Sequence, residues 1–264
     1  MARIHVVTGA SSGIGLATTK LLKSRGNRVI GIDLNGSDID ADLGKHSERI
    51  QAAIHATELA GGHIDAVIAN AGSARPVANT VSINFFGATE FITAMRPALL
   101  RSKSPRVVAT SSMASMMAVD ELLLSAMLAG NEPASLARAD ELVRIGGGQE
   151  QLIYPSTKRA LSRWIRRECI KPDWAGVGIP INAVGPGIVR TPMVAEMIST
   201  EAGSENLAKA VPMPLHGYLE PESVAELLIW LASEVNSHIT GQTIYIDGGA
   251  DATLRGDEIW KLAK

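Results

Sequence analysis

The sequence predicts an α/β fold: a single doubly wound parallel sheet with helices on both faces. Three observations predict it. Short β-branched runs alternate with helix-length stretches along the whole chain. Those runs are apolar almost throughout, as strands covered on both faces are, instead of alternating apolar with polar. A glycine-rich turn also joins the first run to the first helix, where a βαβ unit needs a tight connection.

Taken in order, strands are expected at residues 4–7, 28–32, 66–69, 106–109, 179–184 and 243–246. Helices are expected between them at 14–24, 47–59, 83–100, 154–170 and 222–233, where apolar residues recur at helical spacing. Right-handed crossovers through such helices generate the doubly wound sheet. Residues 113–150 form a long insertion, and its apolar positions predict two short helices stopped by Gly146-Gly147-Gly148. Residues 190–220, with their Pro, Met, Ser and Gly, read as a mobile substrate lid. Neither a linker nor an internal repeat divides the chain, so residues 1–264 are expected to make one domain.

Composition narrows the function classes. With 264 residues, 46% hydrophobic and 20% charged, the chain can bury a full-sized core. A net charge of −2 gives no general attraction to nucleic acid or to an anionic membrane. The basic stretch from Lys158 to Lys171 falls at helical spacing and reads as a solvated or subunit-facing helix. No apolar run reaches the length of a membrane span. One cysteine, Cys169, fits a reducing compartment, and the start of the chain runs straight into a strand with no leader pattern, so a cytoplasmic protein is expected. Six scattered histidines and one cysteine give no metal-site spacing, and no metal is expected.

The glycine-rich turn reads Thr8-Gly9-Ala10-Ser11-Ser12-Gly13-Ile14-Gly15. Between a strand and a helix, Gly9, Gly13 and Gly15 permit the tight turn and let backbone N–H groups approach a pyrophosphate at the helix N-terminus. Asp33 follows eighteen residues beyond Gly15, at the end of the second strand. A carboxylate there accepts hydrogen bonds from ribose hydroxyls and repels a 2′-phosphate, and Leu34 and Asn35 supply no cation to offset that repulsion. The cofactor expected on these grounds is NAD, not NADP.

Six segments then stand in the order of one family. Thr8 to Gly15 resembles the TGxxxGxG motif of the short-chain dehydrogenase/reductase family, and Asn70-Ala71-Gly72 its NAG motif. Asn84 matches its helix asparagine, Ser111-Ser112 its serine, and Tyr154-Pro155-Ser156-Thr157-Lys158 its YxxxK. Pro186-Gly187-Ile188-Val189-Arg190-Thr191 completes the series, with Asp247-Gly248-Gly249 after it. The long insertion, which places Tyr154 42 positions after Ser112, and a shortened second crossover most resemble the bacterial 3α-hydroxysteroid dehydrogenase/carbonyl reductase branch. Only nine residues separate Asp33 from Asp42, which looks like the family's short third-strand aspartate, so little or no helix is expected between them. Pro155 in the first helical turn costs no hydrogen bond there.

The resemblance implies a catalytic set of Asn84, Ser112, Tyr154 and Lys158. Tyr154 and Lys158, four apart on one helix face, would make the general acid/base and its supporting ammonium, which is expected to draw the phenol pKa down. The resemblance further implies that Lys158 binds the nicotinamide ribose, that Ser112 positions the substrate oxygen and that Asn84 holds a relay water. Cofactor contacts are expected from Gly9, Ser11, Ser12, Gly13, Ile14, Gly15, Asp33, Leu34, Asp42, Leu43, Asn70, Ala71, Gly72, Pro186, Gly187, Val189 and Thr191, with Tyr154 and Lys158. Met113, Met193 and Met197, in the irregular segments, are candidates for an adaptable apolar substrate wall. The expected reaction interconverts a bulky apolar secondary alcohol and its ketone. Aromatic or terpenoid alcohol oxidation, 3-oxoacyl carrier-protein reduction and a non-catalytic NAD-sensing role remain alternatives. A homodimer is expected, with a homotetramer as the alternative.

Overall fold

A computed structural model describes residues 2–259. Seven parallel strands form one sheet in the order β3-β2-β1-β4-β5-β6-β7. They are β1 (Ile4–Thr8), β2 (Arg28–Asp33), β3 (Ile39–Asp40), β4 (Ala66–Ala69), β5 (Arg106–Thr110), β6 (Ile181–Pro186) and β7 (Thr243–Ile246). β1 lies inside the sheet, with Thr8 in register with Ile32 on one side and Ala69 on the other. The direction of winding reverses between β1 and β4, so a crevice opens beyond their C-terminal ends.

Successive strand residues point to opposite faces, which explains why the runs are apolar throughout. Val6, Val67, Val107 and Ala183 pack into the core beneath α2 (His46–Leu59), α4 (Ala88–Leu99) and α7 (Ile153–Glu168). Their neighbours Val7, Ile68, Val108 and Val184 pack beneath α1 (Gly13–Ser24) and α10 (Pro221–Leu231), with Leu22, Leu228 and Leu231.

Between β2 and β3 there is no helix, and β3 is only two residues long. The helix expected from residue 83 begins earlier, as a turn at Asn79–Val81 (α3) followed by a π-helical turn, Ser82–Gly87, before α4. The insertion carries its two helices, α5 (Glu121–Leu128) and α6 (Glu132–Ile145), capped by Asp120 and Asn131 side chains. Gly146, at φ 66°, ends α6.

The lid is more ordered than its composition suggests: it contains α8 (Pro192–Ile198) and α9 (Glu201–Ala210). Pro192 starts α8 at a position where no N–H is needed, and Thr200 Oγ1 caps α9 by accepting from Gly203 N at 3.1 Å. A last helix, α11 (Ala250–Arg255), also went unexpected. The Asp247 carboxylate starts it by accepting from Gly249 N (3.0 Å) and Asp251 N (2.7 Å). No helix among the described residues is long and apolar enough to cross a membrane.

Candidate active site

The crevice is a cleft of about 650 Å³ running from Asp33 and Asp42 at one end to Ser112, Tyr154 and Lys158 at the other. Its floor is the glycine turn. Gly9 has φ +68°, and a Cβ on Gly15 would fall 1.9 Å from Gly9 O, so α1 approaches the turn more closely than any side chain would allow. Ser12 opens α1 without capping it through its side chain, and the first turn holds no carboxylate. The leading N–H groups of α1 are therefore not committed to a side-chain cap, and the helix dipole favours an anion there. A pyrophosphate fits this cradle.

At the acidic end, Asp33 Oδ2 accepts from Ser11 N (2.8 Å) and Oδ1 from Leu34 N (2.7 Å). Each oxygen keeps a lone pair for a further donor, as a ribose diol requires. Among the described residues, the only cations lining the cleft are Arg75 and Lys158. Asp42 accepts from Gly44 N at 2.9 Å, and Leu43 beside it is buried. The Ser11 hydroxyl bonds Asn35 O (3.1 Å) and Ser37 Oγ (2.8 Å), and Ser11 stands outside the cleft lining.

Asn70, Ala71 and Gly72 line the middle of the cleft. Thr8 Oγ1 accepts from both Asn70 N and Ala71 N at 3.0 Å, and Thr110 Oγ1 donates to Asn70 Oδ1 at 3.0 Å. Sequence reasoning gave neither threonine side chain a role, although both stand at the last residue of a strand that feeds the site. It also missed Arg159, which donates to Ser115 O and Met117 O, both at 2.7 Å, and so holds the segment after Ser112 against α7. Pro186, Gly187, Val189 and Thr191 border the cleft from β6 to the start of α8. Gly13 packs under Thr191, where a Cβ would stand 3.1 Å from Thr191 Cγ2.

At the other end, Ser111 and Ser112 have different duties. The Ser111 hydroxyl is buried and bonds Lys158 O (3.1 Å) and Ser162 Oγ (2.8 Å). Ser112 caps a 3-10 turn (Met113–Met116) by accepting from Ala114 N at 3.1 Å, which leaves its own O–H to donate elsewhere. Burial pushes the Tyr154 phenol pKa up, and the neighbouring Ser112 hydroxyl draws it back in part. Burial lowers Lys158 to about 8. Its Nζ donates to Thr110 O at 2.8 Å and lies 5.7 Å from the centre of the Tyr154 ring. The expected drop in the tyrosine pKa is therefore not present in this arrangement, because the ammonium is directed at a backbone carbonyl and desolvation dominates.

Other expected site residues stand outside the cleft lining. The Asn84 side chain does not open into the cleft. Its Oδ1 accepts from Ser73 N (2.8 Å), and its Nδ2 donates to Ser73 O (2.8 Å) and Thr157 Oγ1 (3.1 Å). It braces the segment after Gly72 against α7, one residue before Lys158. Of the three methionines, only Met193 lines the cleft. Met113 is 2% exposed and packs with Ile188, Val211 and Ala250, because the 3-10 turn after Ser112 rolls it into a satellite core. Met197 lies on an exposed face of α8, away from the cleft lining.

Comparison with known proteins bears on the same residues. The family described as short chain dehydrogenase matches residues 3–124, and the one described as Enoyl-(Acyl carrier protein) reductase matches residues 142–251. The chain is 34% identical to a 3-alpha-hydroxysteroid dehydrogenase/carbonyl reductase of Comamonas testosteroni, over 96% of this chain and 98% of that one. It is 27% identical to a 3-oxoacyl-acyl-carrier-protein reductase of Thermotoga maritima, over 94% and 97%. Among solved structures, a 3-alpha-hydroxysteroid dehydrogenase from Pseudomonas sp. B-0831 complexed with NADH superposes with a TM-score of 0.87 at 33% identity. That match covers 97% of this chain and all of the other.

Proposed function

Because this chain belongs to the short-chain dehydrogenase family, we propose that it is an NAD(H)-dependent oxidoreductase interconverting a bulky apolar secondary alcohol and its ketone, with 3α-hydroxysteroids the first substrates to test. The observation that carries the reading is the convergence of Ser112, Tyr154 and Lys158 at one end of a cleft whose other end is closed by Asp33. The NADH-bound structural neighbour and the hydroxysteroid relative support the cofactor and the substrate class.

The dinucleotide would lie along the cleft, its pyrophosphate on the N-terminus of α1 and its ribose hydroxyls on Asp33, and when bound it supplies or accepts the hydride. The Ser112 hydroxyl donates to the substrate oxygen. The Tyr154 hydroxyl, kept protonated by burial, gives its proton to that oxygen in reduction and takes it back in oxidation. Lys158, charged at neutral pH, stabilises negative charge on the phenolic oxygen and donates to a ribose hydroxyl. Asn84 acts at a distance, holding Ser73 and Thr157 and through them the start of α7. Pro192, Met193 and Val194 of α8 give the cleft an apolar flank that excludes water from this exchange.

We assign the protein to the cytoplasm, where its one buried cysteine stays reduced, and infer a homodimer, with a homotetramer as the alternative. α5 and α6 lie over α7 and its neighbours, with Arg167 Nη1 donating to Leu128 O (2.9 Å) and Asp120 N to Ser156 Oγ (3.0 Å). Among the described residues, the edge strand β7 and α11 would then provide the face for association.

Turnover of 3α-hydroxysteroids, 3-oxosteroids, aryl ketones, terpenoid alcohols and short-chain alcohols, each with NAD(H) and NADP(H), tests the reading. The steroid or aryl substrates with NAD(H) are expected to give the highest kcat/KM. A clear preference for small polar alcohols would refute the apolar-substrate assignment.

A further inference from the structure

Arg49, near the start of α2, is completely buried and is the largest such side chain among the described residues. A guanidinium in that position needs every donor met and its charge balanced. Nε donates to Leu43 O (2.8 Å), and Nη2 donates to Gly44 O (2.9 Å) and Ser82 O (3.3 Å). The fork also makes a two-pronged pair with Glu132, Nη1 to Oε2 at 2.8 Å and Nη2 to Oε1 at 2.7 Å, and Nη1 reaches Glu90 Oε2 at 3.0 Å. Ser82 Oγ donates to Glu132 Oε1 at 2.7 Å.

The three carbonyls define what is held. Leu43 lines the cleft beside Asp42, and Ser82 opens the π turn whose next residue, Ile83, lines the same cleft. The two segments also touch, since a Cβ on Gly87 would stand 2.8 Å from Leu43 O. One guanidinium therefore fastens the 42–44 loop to the π turn, and the carboxylate that balances it comes from the insertion. Glu132 is the first residue of α6, where the helix dipole favours an anion.

We infer that Arg49 and Glu132 are positioning residues for the dinucleotide: the insertion reaches across to fix the adenosine end of the cleft through a buried, bidentate ion pair. The inference rests on the NAD(H) reading above. Without Glu132 the guanidinium has, among the described residues, only the half-exposed Glu90 for charge balance, and it draws in water or leaves, taking the Leu43, Gly44 and Ser82 carbonyls with it. Arg138 on the same helix gives a contrast, because its partners Asp120 and Glu141 both lie within the insertion.

The test is NADH affinity, followed by energy transfer from protein to nicotinamide fluorescence, with circular dichroism confirming the fold. Glu132→Gln keeps the shape and removes the charge. It is expected to weaken NADH binding roughly tenfold, the usual scale of coupling between linked sites, and to raise KM for NADH while kcat at saturating NADH changes little. Ser82→Ala removes only the hydroxyl bond to Glu132 and should shift affinity the same way by a smaller factor. Arg138→Gln loosens the insertion elsewhere and should leave NADH affinity unchanged.

The inference is overturned if Glu132→Gln and Ser82→Ala fold and bind NADH like the wild type. It is equally overturned if Arg138→Gln weakens binding as much as Glu132→Gln, since the insertion would then act only through general stability. Should Glu132→Gln not fold, Ser82→Ala decides. A wild-type protein that binds no NADH sinks the dehydrogenase reading itself, and this inference with it.

Discussion

Lys158 Nζ stands 5.7 Å from the centre of the Tyr154 ring and spends its hydrogen bond on Thr110 O, at 2.8 Å. The pair is thus set with the phenol protonated and the ammonium charged at neutral pH, both ready to donate. Burial has brought Lys158 down to about 8, so its charge disappears as pH rises through that value. NADH affinity is expected to fall across pH 7 to 9, and Lys158→Met should be weak and flat over the same range. A wild-type profile that stays level through pH 9 would contradict the ribose-binding role of Lys158.

Tyr154→Phe removes one hydroxyl from a buried ring and little packing. Turnover should fall by at least ~10²–10⁴-fold, the usual worth of a positioned acid/base, while the NADH dissociation constant stays close to that of the wild type. Steady-state rates and a fluorescence titration on one preparation separate the two. Substantial kcat in the variant would assign the proton transfer to another group.

Asp33 carries two duties, since its oxygens already accept from Ser11 N and Leu34 N. Asp33→Asn keeps an acceptor for one of these amides and loses the charge that repels a 2′-phosphate. The ratio of kcat/KM for NAD(H) over NADP(H) should drop by roughly one to two orders of magnitude, as loss of ~1–3 kcal/mol of charge-assisted hydrogen bonding implies. An unchanged ratio would place cofactor discrimination elsewhere.

The parts of this site that could be read in advance are those whose chemistry demands a fixed local spacing. Gly9, Gly13 and Gly15 must lie within one turn of backbone, and Tyr154 and Lys158 must share a helix face. What escaped the sequence depends on partners far apart in the chain. Arg49 and Glu132 are 83 residues apart and each looks like an ordinary charge on a helix. Thr8 and Thr110 acquire their meaning only when β1, β4 and β5 lie side by side. Helices α8 and α9 bury no residue fully, so they leave no strong apolar period to read. β3, at two residues, is too short to carry any pattern. The burial of Met113 among Ile188, Val211 and Ala250 was illegible for a related reason, since those partners come from distant segments.

Far from the cleft, β1 hides a titratable group with consequences for acid stability. His5 is 2% exposed, its Nδ1 has no hydrogen-bond partner among the described residues, and its pKa is lowered to about 4. Burial is the main cause and the Arg3 guanidinium adds to it, while the Arg3 backbone and, less strongly, Asp65 oppose it. A base whose folded pKa lies below its unfolded value of 6.5 leaves the unfolded chain to take up the proton first. Stability is therefore intact above pH 6.5 and is lost as pH falls from there toward 4. A shift of this size corresponds to about 3 kcal/mol once the loss is complete. Asp65, whose carboxyl is held below its ordinary range, adds its own loss only at still lower pH. His5→Val suits the buried strand position and removes the titration. Urea unfolding at pH 7.5, 6 and 5 should show wild-type stability falling steadily while His5→Val falls less, so that the two curves separate on the acid side. Parallel curves for the two proteins would mean that His5 is protonated in the folded state without penalty, and that its burial has no part in acid sensitivity.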